Sequence, residues 1–368
     1  METLAALEPS PFPVLSLYLS LAANQNGRDD HQQFIRKAFN ERAKGFADQS
    51  PERESFEADV ERIQKHLEDP ANTSGQALAI FSCHGSDLFE VISLEAPIDQ
   101  HWLFIGSVPH LYPLARLVEN HPRYAAVMLD TNKARISVFG IAATEREEKV
   151  VGEKTRRTSK GGWSQARYQR RAENFHTQHI KEVVDTLDRI VREEGLEHIV
   201  VAGAEVAVPL LREQLPKHLA DKIVDVIAIP GNGQGDLLDA TLSALREKDA
   251  ETDIEKVQEL MDAWQSGGLG VAGPEATLSA FQLGQVEELI ITAAPETLKP
   301  VQTLPDDAAP GAVEVETSAP VAVDEKRLKL SDELVTRAQQ TAARVRFIED
   351  ASLLAEVGGV GALLRFRI

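Results

Sequence analysis

Lys154–Arg171 reads KTRRTSKGGWSQARYQRR, and it carries Lys154, Arg156, Arg157, Lys160, Arg167, Arg170 and Arg171 without a single acid. The rest of the chain is strongly acidic. All 368 residues hold 39 Lys plus Arg against 58 Asp plus Glu, a formal charge of −19; outside this stretch 32 bases face 58 acids, a net of −26. A chain with that total repels polyanions and anionic membranes unless its positive charge is gathered in one place. Here it is gathered on a finger of 18 residues. The finger runs through Lys160-Gly161-Gly162 and enters a helix at about Ser164, where Arg167, Arg170, Arg171 and Asn174 fall three or four apart on one face.

Cations in the first turns of a helix oppose its dipole, at a cost of roughly 0.3–1 kcal/mol each before screening. Something outside the helix should compensate, and a phosphate backbone does so, because exposed N–H groups and arginines converge on anions at such an end. A solvated loop is the plainer reading of a charge run. The lack of any interleaved acid in so acidic a chain favours contact with nucleic acid. Gly161 and Gly162 let the backbone approach a partner without Cβ obstruction. Gln165 has no accessible pKa and cannot be a general base, but it can orient a water. Trp163 has two readings of equal weight, a stacking platform for an unpaired base or an apolar anchor for the loop.

Outward from the finger, the patterning is that of an α/β chain of several domains. Leu15–Leu21 is a β-rich run, two charged helical segments span about residues 30–68, and Gln76–Cys83 with Leu88–Leu94 form a strand pair around His84-Gly85-Ser86-Asp87. Tyr124–Leu129 and Ala134–Gly140 have the form of a hairpin across Asp130-Thr131-Asn132. After a polar stretch, the helix that receives the finger runs to about Glu194, with Ala172, Phe175, His179, Val183, Leu187 and Ile190 on one inward face. His198–Ala202 and Ile223–Ile229 then alternate with helices. Helical segments follow Gly235, and a further helix opens at Pro274 before the strand Glu288–Thr292. Residues 294–324 hold five prolines and no aromatic residue, which predicts a mobile insertion. A helix is predicted from Ser331, with its hydroxyl as N-cap; Val345–Ile348, Ser352–Glu356 and Val360–Ile368 read as strand, helix and strand. The expected domains are 1–122, an N-terminal α/β recognition domain; 123–235, carrying the finger; and 236–368.

Three separated motifs carry a family resemblance. Gly161-Gly162, Ser164, Arg167-Tyr168, Arg170 and Glu173-Asn174 resemble the Gly-Gly-Gln loop and following helix of archaeal and eukaryotic class 1 peptide release factors. Gly268–Gly273 with Pro274-Glu275-Ala276-Thr277-Leu278 and Gln282–Glu287 is similar to that family's third domain, and Gly358–Phe366 (GGVGALLRF) is similar to its C-terminal end. The resemblance covers about Tyr124 to Ile368. It implies a ribonuclease H-like middle domain with a protruding catalytic loop, and a C-terminal α/β/α sandwich like kink-turn-binding ribosomal proteins. It also implies hydrolysis of the peptidyl-tRNA ester at the large-subunit peptidyl-transferase centre, with Gly161, Gly162 and Gln165 catalytic. Lys154, Arg156, Arg157, Lys160, Trp163, Arg167, Arg170 and Arg171 would contact RNA. The implied partners are the ribosome and tRNA, with a protein partner through the C-terminal domain.

One departure matters. The family's catalytic glutamine falls on Trp163, and Gln165 comes two positions later; Gly162-x-x-Gln165 is similar to relatives that free nascent chains in ribosome quality control and to their bacterial counterparts. Neither stop-codon motif, Asn-Ile-Lys-Ser or Thr-Ala-Ser-x-x-Asn, occurs in the N-terminal third. A second reading is therefore a non-catalytic hibernation or rescue factor of the Pelota type.

Other constellations are weaker. Cys83 is the only cysteine, so an intramolecular disulfide and a Cys-based structural zinc site are excluded. Cys83-His84 lacks ligand spacing, and His176 with His179 lacks a third ligand; neither metal nor cofactor is expected. Gly231–Gly235 is followed by Asp236, where a dinucleotide fingerprint needs a small residue, so a turn with Asp236 as N-cap is expected. With no signal-peptide pattern and no run approaching about 18 apolar residues, the expectation is a cytoplasmic protein without a membrane span.

Overall fold

The computed structural model describes residues 1–21, 31–73, 75–94, 98, 100–130, 133–140, 143–151, 165–203, 207–227, 252–301, 314–317 and 324–367. The chain divides into two compact units, His121–Glu251 and the combination of Met1–Asn120 with Thr252–Ile368. No described helix is long and apolar enough to cross a membrane.

The discontinuous unit begins with α1 (Glu2–Ala5), β1 (Val14–Ser20), α2 (His31–Ala43), α3 (Pro51–Leu67), β2 (Ala77–Cys83), β3 (Leu88–Leu94), β4 (Trp102–Gly106) and α4 (Tyr112–Asn120). Alternation on β1 decides its two faces. Leu15, Leu17 and Leu19 pack with Leu78, Ile80 and Leu103 under Phe34, Phe39, Phe56 and Ile63 of the two helices. On the opposite face the Ser16 hydroxyl accepts from the His110 N–H at 2.9 Å, and the Tyr18 hydroxyl donates to the His110 carbonyl at 2.6 Å. The start of α3 is fixed by Ser50, whose side chain accepts from Arg53 N, with Pro51 next in line.

The other unit comprises β5 (Tyr124–Leu129), β6 (Lys133–Gly140), β7 (Ala143–Val151), α5 (Gln165–Glu194), β8 (His198–Gly203), α6 (Ala207–Gln214), α7 (Lys217–Ala220) and β9 (Ile223–Ile227). Its sheet runs β7-β6-β5-β8-β9, with antiparallel pairs among β5, β6 and β7 and parallel pairs from β5 to β8 and β8 to β9. The polar stretch expected after Gly140 is in fact the edge strand β7. Its partner register brings Val150 onto the core while Arg146 and Glu148 make ion pairs, so charge replaces the apolar alternation that marks a strand.

The discontinuous unit resumes with α8 (residues 252–265), β10 (Gly270–Ala272), α9 (Pro274–Gln282), β11 (Val286–Thr292), β12 (Glu314–Thr317), α10 (Glu325–Gln340), β13 (Arg344–Ile348) and β14 (Val360–Leu364). Four strands form a sheet in the order β10-β14-β11-β13, while β12 joins the first sheet, whose order is β12-β4-β1-β2-β3. Two expectations are corrected here. The proline-rich stretch expected to be mobile contributes β12, paired antiparallel with β4 from Glu314↔Ile105 to Thr317↔Trp102. Between Pro310 and Pro320 the chain is free of proline, and edge pairing needs only backbone hydrogen bonds. The helix predicted from Ser331 instead starts at Glu325, where Asp324 accepts from Lys326 N; Ser331 is buried in its middle and donates to the Leu328 carbonyl at 2.8 Å.

The two segments of this unit are joined by buried polar contacts. Asp332 of α10 accepts from the Nδ1–H of His110 and, through its other oxygen, from the N–H groups of Leu111 and Tyr112 at 3.1 Å each. A carboxylate from one end of the chain thus caps a helix from the other. Tyr112 donates to the Thr292 carbonyl and packs edge-on against Phe347 with centroids 5.2 Å apart. Arg116 holds Glu349 through two nitrogens, at 2.8 and 3.2 Å.

Candidate functional site

Helix α5 spans 30 residues, about 45 Å at 1.5 Å per residue. Among its described side chains, those of the second half pack on the sheet, and Phe175 and His176 are half-buried. Ile180, Val183, Val184, Leu187, Ile190 and Val191 are buried in the apolar core, as the sequence spacing requires, whereas Thr177 and Gln178 are exposed. The registers show where the sheet stops. Lys133 pairs with Val151 and Leu129 with Gly203 at one end; Tyr124 pairs with His198 at the other, just beyond the C-terminus of α5. His179 lies beside the Lys133 backbone and Asp130, and so marks the level at which the helix passes the sheet edge. The helix therefore continues through residues 165–178 for about 21 Å beyond this level, with Gln214 of α6 donating to the Thr177 carbonyl at 3.3 Å beside it.

Gln165 is the first residue of the helix, and Arg167, Arg170 and Arg171 follow within its first two turns. The structure brings these four sequence-selected residues to one end of one helix. The acid-free first turn matches the placement read from the sequence. Lys154, Arg156, Arg157, Lys160, Gly161, Gly162 and Trp163 lie outside the described residues, as do Gly231–Gly235 and Asp236. β7 ends at Val151, level with the end of the sheet, and α5 begins at Gln165.

His179 is buried at 3% exposure on the apolar face, where the sequence placed it. Burial pushes its imidazole below the ordinary value of 6.5. Folding therefore favours the neutral ring, so its contribution is full above about pH 6.5 and is lost as pH falls through the lower folded value. Replacing His179 with Leu is expected to flatten the decline in the central unit's melting temperature between about pH 6.5 and 5. Parallel declines in wild type and variant would assign the pH dependence elsewhere. Among the described residues, no cluster of three or more His, Cys, Asp or Glu side chains could hold a metal ion.

The motifs of the C-terminal segment have structural work. A Cβ on Gly270 would stand 2.6 Å from Trp264 N, and one on Gly361 would stand 2.8 Å from the Val271 carbonyl oxygen. Gly358 and Gly359 turn the chain into β14 at φ of 70° and 85°. These glycines let α8, β10 and β14 approach closely; they hold no chemistry of their own.

Two family models match successive parts of the chain. A family model described as bacterial archaeo-eukaryotic release factor family 10 matches residues 109–246, and one described as eRF1 domain 3 matches residues 250–368. Peptide chain release factor subunit 1 of Methanopyrus kandleri is 23% identical over 223 residues, 59% of this chain and 54% of that protein. Eukaryotic peptide chain release factor subunit 1 of Stylonychia mytilus is 26% identical over 208 residues, 53% of this chain and 46% of its own length. The chain thus spans about half the length of these two relatives. The Thermococcus sibiricus protein, also a peptide chain release factor subunit 1, is 21% identical over 348 residues, 84% of this chain and 83% of that one. Among solved structures, a model of ribosome-bound archaeal Pelota and ABCE1 aligns with 100% of this chain and 93% of its own at 13% identity and a TM-score of 0.45. Dom34 of S. cerevisiae aligns with 79% and 87% at 12% identity and a TM-score of 0.41. With two family models end to end, one over the finger and its helix and the other over the glycine-built C-terminal segment, the chain belongs to the archaeal and eukaryotic class 1 release factor superfamily.

Proposed function

We propose that this protein enters the ribosome and presents the Gly161–Gln165 segment to the ester of peptidyl-tRNA, freeing nascent chains from stalled ribosomes. The observation that carries this reading is an acid-free cationic stretch that runs onto the tip of a helix continuing about 21 Å beyond the level of its sheet edge, in a chain of net charge −19. A projecting basic tip on an acidic body reaches into a phosphate-lined cleft while the body avoids non-specific RNA. Gly161 and Gly162 give backbone access, Gln165 orients water or the terminal ribose, and the flanking Lys and Arg residues bind RNA. Gln165 cannot take the proton, so catalysis rests on positioning and on acid–base groups of the partner. The same reading gives the central segment 123–235 a ribonuclease H-like fold and the C-terminal segment 236–368 the sandwich of kink-turn-binding ribosomal proteins, with a protein partner on the latter.

One observation favours a second reading. Trp163 occupies the position of the family's glutamine, which fits a factor of the Pelota type that binds idle or stalled ribosomes without hydrolysis. The two readings separate on stalled ribosomes carrying labelled peptidyl-tRNA. Gln165→Ala is expected to slow release by about 10²-fold while co-sedimentation with ribosomes persists. Equal release by both proteins would remove the role given to Gln165. No release by the wild type, with binding intact, would select the non-catalytic reading.

A further inference from the structure

The heel of α5 is fastened to β7 by a closed ring of four charges. Arg146 reaches Glu148 at 2.6 Å and Glu193 at 2.9 Å, and Arg189 reaches Glu148 at 2.6 Å and Glu193 at 3.3 Å. Each acid is shared by both arginines, with two ring members on the strand and two on the helix. Glu194 extends the ring, accepting from Arg146 at 3.1 Å and from Arg123 at 2.9 Å. Hydrogen bonding to Arg189 and Arg146 holds the Glu148 carboxyl below its ordinary value, and Arg123 with Arg146 does the same for Glu194.

Exposed ion pairs contribute little to stability, and the apolar stripe of α5 already keeps the helix on the sheet. Apolar burial, however, is non-directional. It resists lifting the helix far more than swinging it sideways across the sheet. Paired guanidinium–carboxylate bonds are directional, and β7 is the outermost of the described strands of its sheet. The position of the ring along α5 makes direction count. From the middle of the buried stretch 180–191, Gln165 lies about 20 residues away and Glu193 about 8 the other way, so the arms measure about 30 and 12 Å. A sideways shift of the heel is therefore enlarged about two- to threefold at the tip, in the opposite sense.

We propose that the ring of Arg146, Glu148, Arg189 and Glu193 is the aiming device of α5, fixing the direction in which the helix carries its first two turns, residues 165–171. These are positioning residues, placed on the strand and on the heel of the helix rather than at its tip. The consequence for activity rests on the reading given under Proposed function, because misplacing reacting groups by about 1 Å costs about 10²-fold. The mechanical statement does not depend on that reading.

The test uses the full-length protein with spin labels at Gln169→Cys, in the first two turns of α5, and Asp221→Cys, exposed in the same unit; Cys83 is buried. Double electron–electron resonance reads the distance distribution. Glu148→Gln is expected to broaden it or shift it by about 3 Å, a heel shift of about 1 Å enlarged by the longer arm to the tip. Glu182→Gln, an exposed acid on the same helix outside the ring, is expected to leave it unchanged. Raising NaCl from about 0.05 to about 1 M should broaden the distribution of the intact ring through screening, and should have a smaller further effect on Glu148→Gln, which keeps the Arg146–Glu193 link between strand and helix. This arm serves if a variant folds poorly. An unchanged distribution in Glu148→Gln and in high salt, or an equal change in Glu182→Gln, overturns the proposal. Peptidyl-tRNA release is read separately: slowed release in Glu148→Gln with the distance change extends the mechanical result to activity. Absence of release from wild type, with the distance change present, counts against the proposed hydrolysis alone.

Discussion

Replacing Lys154, Arg156, Arg157, Lys160, Arg167, Arg170 and Arg171 together with glutamine is expected to weaken ribosome binding by about 10³–10⁴-fold near physiological salt and to flatten its salt dependence by about five logarithmic units. The size follows from counterion release, in which each neutralised phosphate contributes a slope of about 0.7 on a single strand. The sign follows from the rest of the molecule: without these seven cations the net charge is −26, with 32 bases against 58 acids, and repulsion from RNA prevails. The narrower variant Arg167→Glu with Arg170→Glu reverses two charges in the first turns of α5 and should show the same trend. It should also make the helix itself slightly more favourable, since acids suit that end. Weaker binding without loss of thermal stability would therefore separate RNA contact from folding. Co-sedimentation across a salt series measures both quantities, and unchanged binding in the sevenfold variant would reject RNA contact by the finger.

Asp332→Ala should destabilise the discontinuous unit by about 3–5 kcal/mol, the cost of leaving three buried hydrogen-bond partners without their acceptor. Asp332 and His110 are both buried, and three donors meet on one carboxylate. Truncation leaves the Leu111 and Tyr112 N–H groups and the imidazole without an acceptor. Asp332→Asn keeps an oxygen for the two backbone donors but sets an amide against the ring, so its cost should be smaller, about 1–2 kcal/mol. Urea unfolding followed by a probe in this unit measures both. Equal midpoints for wild type and Asp332→Ala would show that the two segments are held together by apolar packing alone.

Local signals made much of this legible in the sequence. The alternation of LSLYLSL named β1, the three-and-four spacing from Phe175 to Ile190 named the face of α5, and the acid-free run marked the candidate site. What escaped was settled between distant segments. β7 carries ATEREEKVV, whose charges look like a solvated stretch until the ring on α5 gives them partners. β12 lies among prolines, and only the open edge of β4 explains why it is a strand. Ser331-Asp332-Glu333 has the residues of a helix start, yet the helix begins at Glu325 and Asp332 serves as the cap of a different one. The basic tract was visible from composition, but its projection depends on where the sheet ends beneath α5, which is a matter of strand register.

Completion of the first sheet by β12 also constrains how the chain is made. Synthesis delivers β4 and the start of α4 long before their partners: Asp332 lies 222 residues after His110. Until the last third has emerged, β4 presents an unpaired edge, the kind of template that invites pairing with another chain. The central unit, complete at Glu251, has no such wait. Its sheet closes within its own segment, so the part bearing the finger is free to fold while the unit enclosing it in sequence is still unfinished. Newly made chains are thus most vulnerable to aggregation during elongation through the C-terminal segment, and this vulnerability ends when β12 and α10 arrive.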